Sequence, residues 1–228
     1  MRRVLVVFII FITGAGIIIY LNLDWQNNRK LPVFQPNDIN PDLVDSSLHG
    51  RGRGINGGDH CISNFELLDQ LNHRVTKKIM TNKIVVTNFF FVSCPSICPK
   101  MTQNLLTIHN QYKEDNKILI LSHTVWPEVD KVNVLFKYAE KYKIDYENWR
   151  FLTGDKIELY RLARQDYLVV PDINDPNFQH GSEADFIHTE NIVLLDQKQR
   201  IRGYYDGTDP LEMNRLLEDI EILKKLNI

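Results

Sequence analysis

The chain has 228 residues, of which 43% are hydrophobic and 25% are charged, and its formal net charge at pH 7 is −2. This length and composition predict one globular domain with additional segments, and the near-neutral charge gives no electrostatic basis for binding nucleic acid. Three cysteines are too few for a disulfide-rich scaffold. Because two of them lie close together, they favour a metal site or a redox pair.

The N-terminal segment is almost entirely apolar from Val4 to Leu21 and follows two arginines. A helix of this length extends about 27 Å, close to the hydrocarbon thickness of a bilayer. Residues 1–23 are therefore predicted to form an uncleaved membrane anchor, and residues 24–60, rich in Asn, Asp, Pro and Gly, a flexible linker. A cleaved signal peptide is the alternative, but no convincing small-residue cleavage site follows the apolar run. The flanking charges favour a cytoplasmic N-terminus only slightly.

Residues 61–228 are predicted to form the folded domain, in which strands and helices alternate. Two short strands precede Lys83–Val92, whose nearly unbroken β-branched and aromatic residues indicate a strand buried on both faces. The later predicted elements are helices at Pro99–Lys113, Glu128–Lys143, Asp155–Gln165 and Pro210–Leu226, strands at Lys117–Ser122 and Trp149–Leu152, and a hairpin of Asn191–Asp196 and Arg200–Tyr205.

This order predicts an α/β fold with a parallel core beside an antiparallel hairpin, a thioredoxin-like sheet with flanking helices, preceded by the N-terminal transmembrane helix. A doubly wound nucleotide-binding sheet is the main alternative, but no glycine-rich phosphate loop follows any predicted strand. Ligands bind at the carboxyl ends of strands in open α/β sheets, so the loop after Lys83–Val92 is a candidate site.

Cys94 and Cys98 lie in this loop, and a proline follows each of them. Each proline disfavours helical geometry for the preceding cysteine, so both are predicted to lie in a tight loop that enters the helix, with Cys98 near its N-cap. Unpaired N–H groups at the helix start favour the thiolate, the form that binds metal and exchanges disulfides. Two buried core cysteines are the alternative, against which the prolines and the strand–helix junction count.

The sequence from about Phe65 onward resembles the SCO/SenC family of copper chaperones for cytochrome c oxidase assembly. It shares a buried strand followed by Cys-x-x-x-Cys-Pro, and a histidine ahead of a late strand, here in Asp-Phe-Ile-His188. The resemblance implies a thioredoxin-like fold with one copper ion bound by Cys94, Cys98 and His188. Two positions depart from the family pattern. Members often have histidine at the position of Ser93 and an acidic residue at the position of Trp126.

This ligand set is chemically suited to copper, because thiolates favour Cu(I) and imidazole binds both oxidation states. A structural zinc ion would normally need a fourth protein ligand. A catalytic zinc bound by the same three side chains and a water stays formally open, although no general base is evident beside them.

Five further residues are weaker site candidates. His123, at the end of the second parallel strand, could approach the cysteines, although capping the strand is the simpler interpretation. His180 could assist copper capture or be a solvated loop histidine. Cys61 is interpreted as incidental, and His49 and His60 are assigned to the linker.

The resemblance implies a chaperone, not an enzyme, that receives copper from a donor protein and delivers it by ligand exchange to the copper A centre of cytochrome c oxidase or to another copper protein. Movement of the loop around 172–188 would release His188. The implied location is the inner membrane, with one membrane span and the domain on the periplasmic side.

The alternative is a thiol–disulfide reductase that keeps a copper protein's cysteines reduced, with Cys94 and Cys98 forming a reversible disulfide. Such an enzyme would have no use for His188. A peroxidase-like activity is disfavoured, because Ser93-Cys94-Pro95 lacks the arginine and threonine setting that a peroxide-reactive thiolate needs.

Overall fold

The computed structural model describes residues 13–14, 16, 29–39, 58–169 and 189–226. The chain divides into two units, Met1–Leu31 and Pro32–Ile228. Within the described residues, no helix is both long enough and apolar enough to cross a membrane. Apart from Thr13, Gly14 and Gly16, the anchor at residues 1–23 lies outside the described residues and stays a prediction.

The described residues of the second unit form a seven-stranded sheet in the order β2-β1-β5-β4-β3-β6-β7. The strands are β1 (Glu66–Asp69), β2 (Arg74–Thr76), β3 (Ile84–Phe90), β4 (Ile118–Thr124), β5 (Trp149–Thr153), β6 (Asn191–Leu195) and β7 (Ile201–Asp206). β3, β4 and β5 are parallel, whereas β6 pairs antiparallel with β3 and β7 with β6. The predicted parallel core beside an antiparallel hairpin is confirmed.

The two central strands, β3 and β4, are buried along their whole length, as their apolar sequences predict. Side chains alternate between the two faces of the sheet. On one face, Phe89 and Leu121 belong to a core cluster that includes Tyr167. The ring of Phe90 instead packs against Tyr138 and Phe151, with centroid distances of 5.5 and 5.3 Å. Each face of the sheet therefore has its own apolar packing.

Four α-helices flank the described sheet: α1 (Ile97–Tyr112), α2 (Val132–Lys141), α3 (Lys156–Arg161) and α4 (Pro210–Lys225). Asp155 caps α3, because its carboxylate accepts the N–H of Glu158 at 2.9 Å. The predicted continuation to Gln165 is present as a turn of π-helix, Leu162–Asp166.

Helix α2 begins four residues later than predicted. The N–H groups of Val129 and Asp130 both donate to the carbonyl of Trp126, at 3.0 and 2.8 Å, so this stretch forms a turn. The turn therefore occupies residues that the sequence pattern assigned to the start of the helix.

Residues 32–39 and 58–60, which fall in the predicted linker, make contacts within the second unit, and the linker boundaries stay a prediction. The N–H of Phe34 donates to the carbonyl of Ile201 in the edge strand β7 at 2.9 Å, and its ring packs edge-on against Tyr204. His60 is buried, with Nε2 2.7 Å from the carbonyl of Asp166. Apolar residues in this segment cover an edge strand that would otherwise expose unpaired backbone groups. The remaining linker residues, apart from 29–31, lie outside the described residues.

Candidate metal centre

The two cysteines lie where β3 gives way to α1, at the carboxyl edge of the parallel strands. Cys94 is in the connecting loop, whereas Cys98 is the second residue of α1, after the N-cap Ser96. The prediction that Pro99 keeps Cys98 out of helical geometry is wrong. Pro99 is the third helical residue, where a backbone N–H would have no partner within the helix, so proline costs little there.

Cys94 and Cys98 are held close together and are both free thiols. The N–H of Cys98 donates to Sγ of Cys94 at 3.4 Å, and the two side chains hydrogen-bond to each other. The N–H of Cys94 donates to the carbonyl of Phe91 at 3.3 Å, which closes the loop on itself. The residues are only 4% and 2% exposed, respectively. The site is therefore a recessed sulfur pair.

The two thiols differ in acidity, although the sequence predicted the thiolate form for both. Burial raises the pKa of Cys94, but the N–H groups of Cys98, Ser96 and Ile97 outweigh it, and the net pKa lies below that of an ordinary thiol. Burial raises the pKa of Cys98 to about 12, and the nearby Cys94 and Asp130 add to the rise. The prediction is thus correct in direction for Cys94 and wrong for Cys98, which is too deeply buried.

Alkylation should reveal this difference. In the reduced full chain, iodoacetamide is expected to modify Cys94 before Cys98, because only the thiolate reacts and Cys94 has the lower pKa. Mass spectrometry of peptides across a pH series measures both rates. The midpoint for Cys94 is expected to lie below that for Cys98. Equal midpoints for the two cysteines would contradict the assignment, and rates measured in the Cys94→Ser and Cys98→Ser variants provide the single-thiol controls.

A buried carboxylate beside the cysteine loop was missed by the sequence analysis. Asp130 is fully buried, and its Oδ2 accepts the N–H of Val92 at 3.0 Å and the hydroxyl of Thr124 at 2.6 Å. Burial raises the pKa of this carboxyl group. The feature of the sequence that could have indicated Asp130 is its position in the loop after β4, at the same sheet edge as the cysteines.

His123 does not cap a strand, so that prediction is wrong. It lies inside β4, is fully buried, and stacks on Phe89 with a centroid distance of 5.0 Å. Nδ1 is 3.1 Å from the hydroxyl of Thr87, which donates to the carbonyl of Leu121, so Nδ1 carries the proton. Burial lowers the pKa of His123 to about 3 and keeps the ring neutral. The residue is part of the core packing.

Of the three predicted metal ligands, the structure brings two together, since His188 lies outside the described residues. His49 and His180 also lie outside them. In the part of the chain that is described, no three His, Cys, Asp or Glu side chains converge as a metal-binding group. Cys61 is half-buried, and burial raises the pKa of its thiol.

Comparison with known proteins identifies the fold and the family. The family model described as SCO1/SenC matches residues 53–224. The SCO1 protein homolog of Bacillus subtilis is 25% identical over 159 residues, which cover 69% of this chain and 79% of that protein.

Two solved structures are similar to this chain. The first is BsSco, described as a member of the Sco family of cytochrome c oxidase assembly proteins with a disulfide switch; it has a TM-score of 0.60 and 22% identity, and the match covers 74% of this chain and 95% of that one. The second is Arabidopsis thaliana ScoI with copper bound, with a TM-score of 0.55, 20% identity, and coverage of 72% and 98%. These likenesses confirm the predicted thioredoxin-like sheet with flanking helices. Because the family model matches about three quarters of the sequence, the chain belongs to the SCO1/SenC family.

Proposed function

We propose that the protein is a membrane-anchored copper chaperone that binds one copper ion through Cys94, Cys98 and His188 and delivers it to the copper A centre of cytochrome c oxidase. The observation that carries this proposal is the recessed pair of free thiols at the junction of β3 and α1. Copper in the similar ScoI structure supports the choice of cargo. A copper donor and a copper-bearing oxidase subunit are the partners that follow.

The cysteine pair offers what a Cu(I) carrier needs. Two sulfur ligands and one imidazole form a three-coordinate site, which is sufficient for Cu(I), and soft thiolates favour that ion over harder cations. The pKa of Cys94 is lowered, so this thiol ionises more readily, whereas the pKa of Cys98 is raised and it has to release its proton when the metal binds. Transfer then requires only that the recipient's ligands replace these three one after another, without covalent chemistry on a substrate.

The sheet register supports His188 as the third ligand. β6 runs antiparallel to β3, with Ile192 opposite Asn88, so the amino end of β6 lies at the sheet edge from which the cysteine loop leaves. Thr189, just before β6, is buried, and its hydroxyl accepts the N–H of Asn191 at 3.1 Å. His188 directly precedes Thr189 in the sequence, and this adjacency supports its choice as the third ligand.

Replacing this histidine tests the assignment. His188→Ala in the full chain, purified in detergent, is expected to weaken Cu(I) binding about tenfold or more, because one of three ligands is lost. His180→Ala is the matched control, since it removes a histidine from the same segment, and it should retain wild-type affinity. Competition with a Cu(I) chelator under anaerobic conditions measures both affinities. Unchanged affinity in His188→Ala would overturn the ligand set.

A thiol–disulfide reductase is the second candidate, and the split in thiol acidity favours it. A lowered pKa at Cys94 beside a raised pKa at Cys98 suits an attacking thiolate with a buried resolving thiol. In that reaction a partner disulfide gains two electrons and two protons while Cys94 and Cys98 form a disulfide. A mixed disulfide that accumulates on Cys94 in Cys98→Ser with a copper-protein partner would favour this function.

We further propose that residues 1–23 anchor the protein in the inner membrane and that the folded domain faces the periplasm. The apolar run from Val4 to Leu21 supports the anchor, and an oxidase copper centre outside the cytoplasm requires the domain there. Protease digestion of spheroplasts should remove the domain, whereas digestion of inverted vesicles should leave it intact.

A further inference from the structure

Asp130 has no place in the proposed ligand set, yet it is the buried carboxylate beside the cysteine pair. It is fully buried, and its Oδ1 has no hydrogen-bond partner among the described residues. A carboxylate taken out of water costs free energy unless its bonds offset that cost. The two hydrogen bonds accepted by Oδ2 are therefore the interactions through which Asp130 stabilises the structure.

These two bonds join the two loops that border the site. Val92 lies two residues before Cys94, in the loop that leaves β3, and its N–H is bound by Oδ2 of Asp130 at 3.0 Å. The hydroxyl of Thr124, at the end of β4, donates to the same oxygen at 2.6 Å. The N–H of Trp126 in turn donates to that hydroxyl oxygen at 3.0 Å. One carboxylate oxygen thus ties the start of the cysteine loop to the end of the neighbouring strand.

The cysteine loop has further hydrogen bonds, among them one from the backbone of Phe91 to the side chain of Cys98. The N–H of Cys94 bonds within the loop, to the carbonyl of Phe91, and that bond does not fix the loop against the rest of the sheet. The N–H of Cys98 bonds to Sγ of Cys94, so the sulfur position depends on where the loop lies relative to α1. Loss of the Val92 bond would free the segment that sets this position.

We infer that Asp130 is a positioning residue that holds Cys94 against Cys98 so that the two sulfurs act as a pair. The inference rests on the proposed function in naming Cu(I) as the probe. It assigns Asp130 no contact with copper, and its effect passes through the N–H of Val92 and the loop that carries Cys94.

The test uses the full chain in detergent with Cys61→Ser as background, so that the third thiol does not contribute. Asp130→Ala removes both bonds to Oδ2 and is expected to weaken Cu(I) binding about tenfold. Asp130→Asn keeps an oxygen that accepts both donors, and it should restore affinity to within about threefold of wild type. Thr124→Val removes one donor and is expected to weaken binding about threefold.

Asp69→Ala is the matched control. Asp69 is also buried, and one of its oxygens accepts two backbone N–H groups, those of Leu71 and His73, both at 2.9 Å. It belongs to β1, which β5 and β4 separate from β3. Asp69→Ala should lower the melting temperature and leave the Cu(I) affinity unchanged, so a general loss of stability is distinguished from a loss of positioning.

Wild-type affinity in Asp130→Ala, or an equal loss in Asp69→Ala, would overturn the inference. If Asp130→Ala does not fold, the Cu(I) affinity of Thr124→Val is used instead, and wild-type affinity in that variant would overturn the inference. If the wild-type chain binds no copper, the proposed function fails. Positioning is then tested by an equilibrium constant for oxidation of the cysteine pair. In that equilibrium the two thiols and oxidised glutathione give the Cys94–Cys98 disulfide and two reduced glutathiones. Asp130→Ala should lower that constant about tenfold and Asp130→Asn should not; no difference would overturn the inference.

Discussion

Replacing Cys94 with serine in the full chain is expected to abolish tight Cu(I) binding, with a loss in affinity of about a thousandfold or more, because a hard hydroxyl replaces a soft thiolate. Cys98→Ser should have the same effect. Each substitution leaves one sulfur ligand, and a single thiolate with one imidazole does not provide the three-coordinate site. Serine is nearly the same size as cysteine, so the packing around the β3–α1 loop is largely kept.

Cys61→Ser is the matched control for this prediction. Cys61 is the third free thiol, it is half-buried, and it belongs to the segment that precedes β1. Its replacement should leave both the affinity and the stoichiometry of one copper ion per chain unchanged. Chelator competition and metal analysis after anaerobic purification measure both quantities. Retained tight binding in Cys94→Ser, or lost binding in Cys61→Ser, would show that copper is held elsewhere.

Replacing Trp149 with alanine is expected to lower the free energy of unfolding by about 3–5 kcal/mol, the usual cost of emptying a large aromatic site. Trp149 is fully buried in β5, and its ring stacks on Phe151 with a centroid distance of 5.3 Å. Its indole N–H donates to the hydroxyl of Ser122 at 2.9 Å, so the substitution also removes one of the two partners of a buried hydroxyl, the other being Asn88. A domain at the lower end of the usual stability range of about 5–15 kcal/mol would retain little of its stability.

Trp126 provides the control of the same residue type. It is 38% exposed, and its ring approaches Phe91 at a centroid distance of 6.1 Å. Trp126→Ala is expected to cost less than about 1 kcal/mol, because most surface substitutions have small effects. Urea denaturation followed by far-ultraviolet circular dichroism compares the two variants without relying on tryptophan fluorescence. Similar midpoints for both variants would contradict the assignment of Trp149 to the core.

The sheet could be predicted from the sequence because its central strands follow a simple rule. β3 and β4 consist mostly of β-branched and other apolar residues, and strands covered on both faces require this composition. The start of α2 could not be predicted in this way, because the turn from Trp126 to Asp130 depends on contacts made in space. Local patterns indicate an element's type better than its first residue.

The cysteine motif was predictable, whereas the difference between its two thiols was not. Spacing and the two prolines place Cys94 and Cys98 at a strand–helix junction. The depth to which Cys98 is buried, and the three N–H groups that surround Cys94, arise only when α1 packs on the sheet. Asp130 was missed for the same reason, since its bonds to Val92 and Thr124 join segments that no sequence pattern relates.

The position of β6 beside β3 has a consequence for biosynthesis. Asn88 in β3 pairs with Ile192 in β6, so about a hundred residues have to be made after the cysteine pair before the central strand gains its second neighbour. At about 5–20 residues per second, this takes about 5–20 s. During that interval the cysteine pair is present on a half-assembled sheet, and oxidation in that period would remove the thiols that the proposed copper site needs. The order in which the strands are synthesised therefore gives any thiol-protecting factor a defined time in which to act.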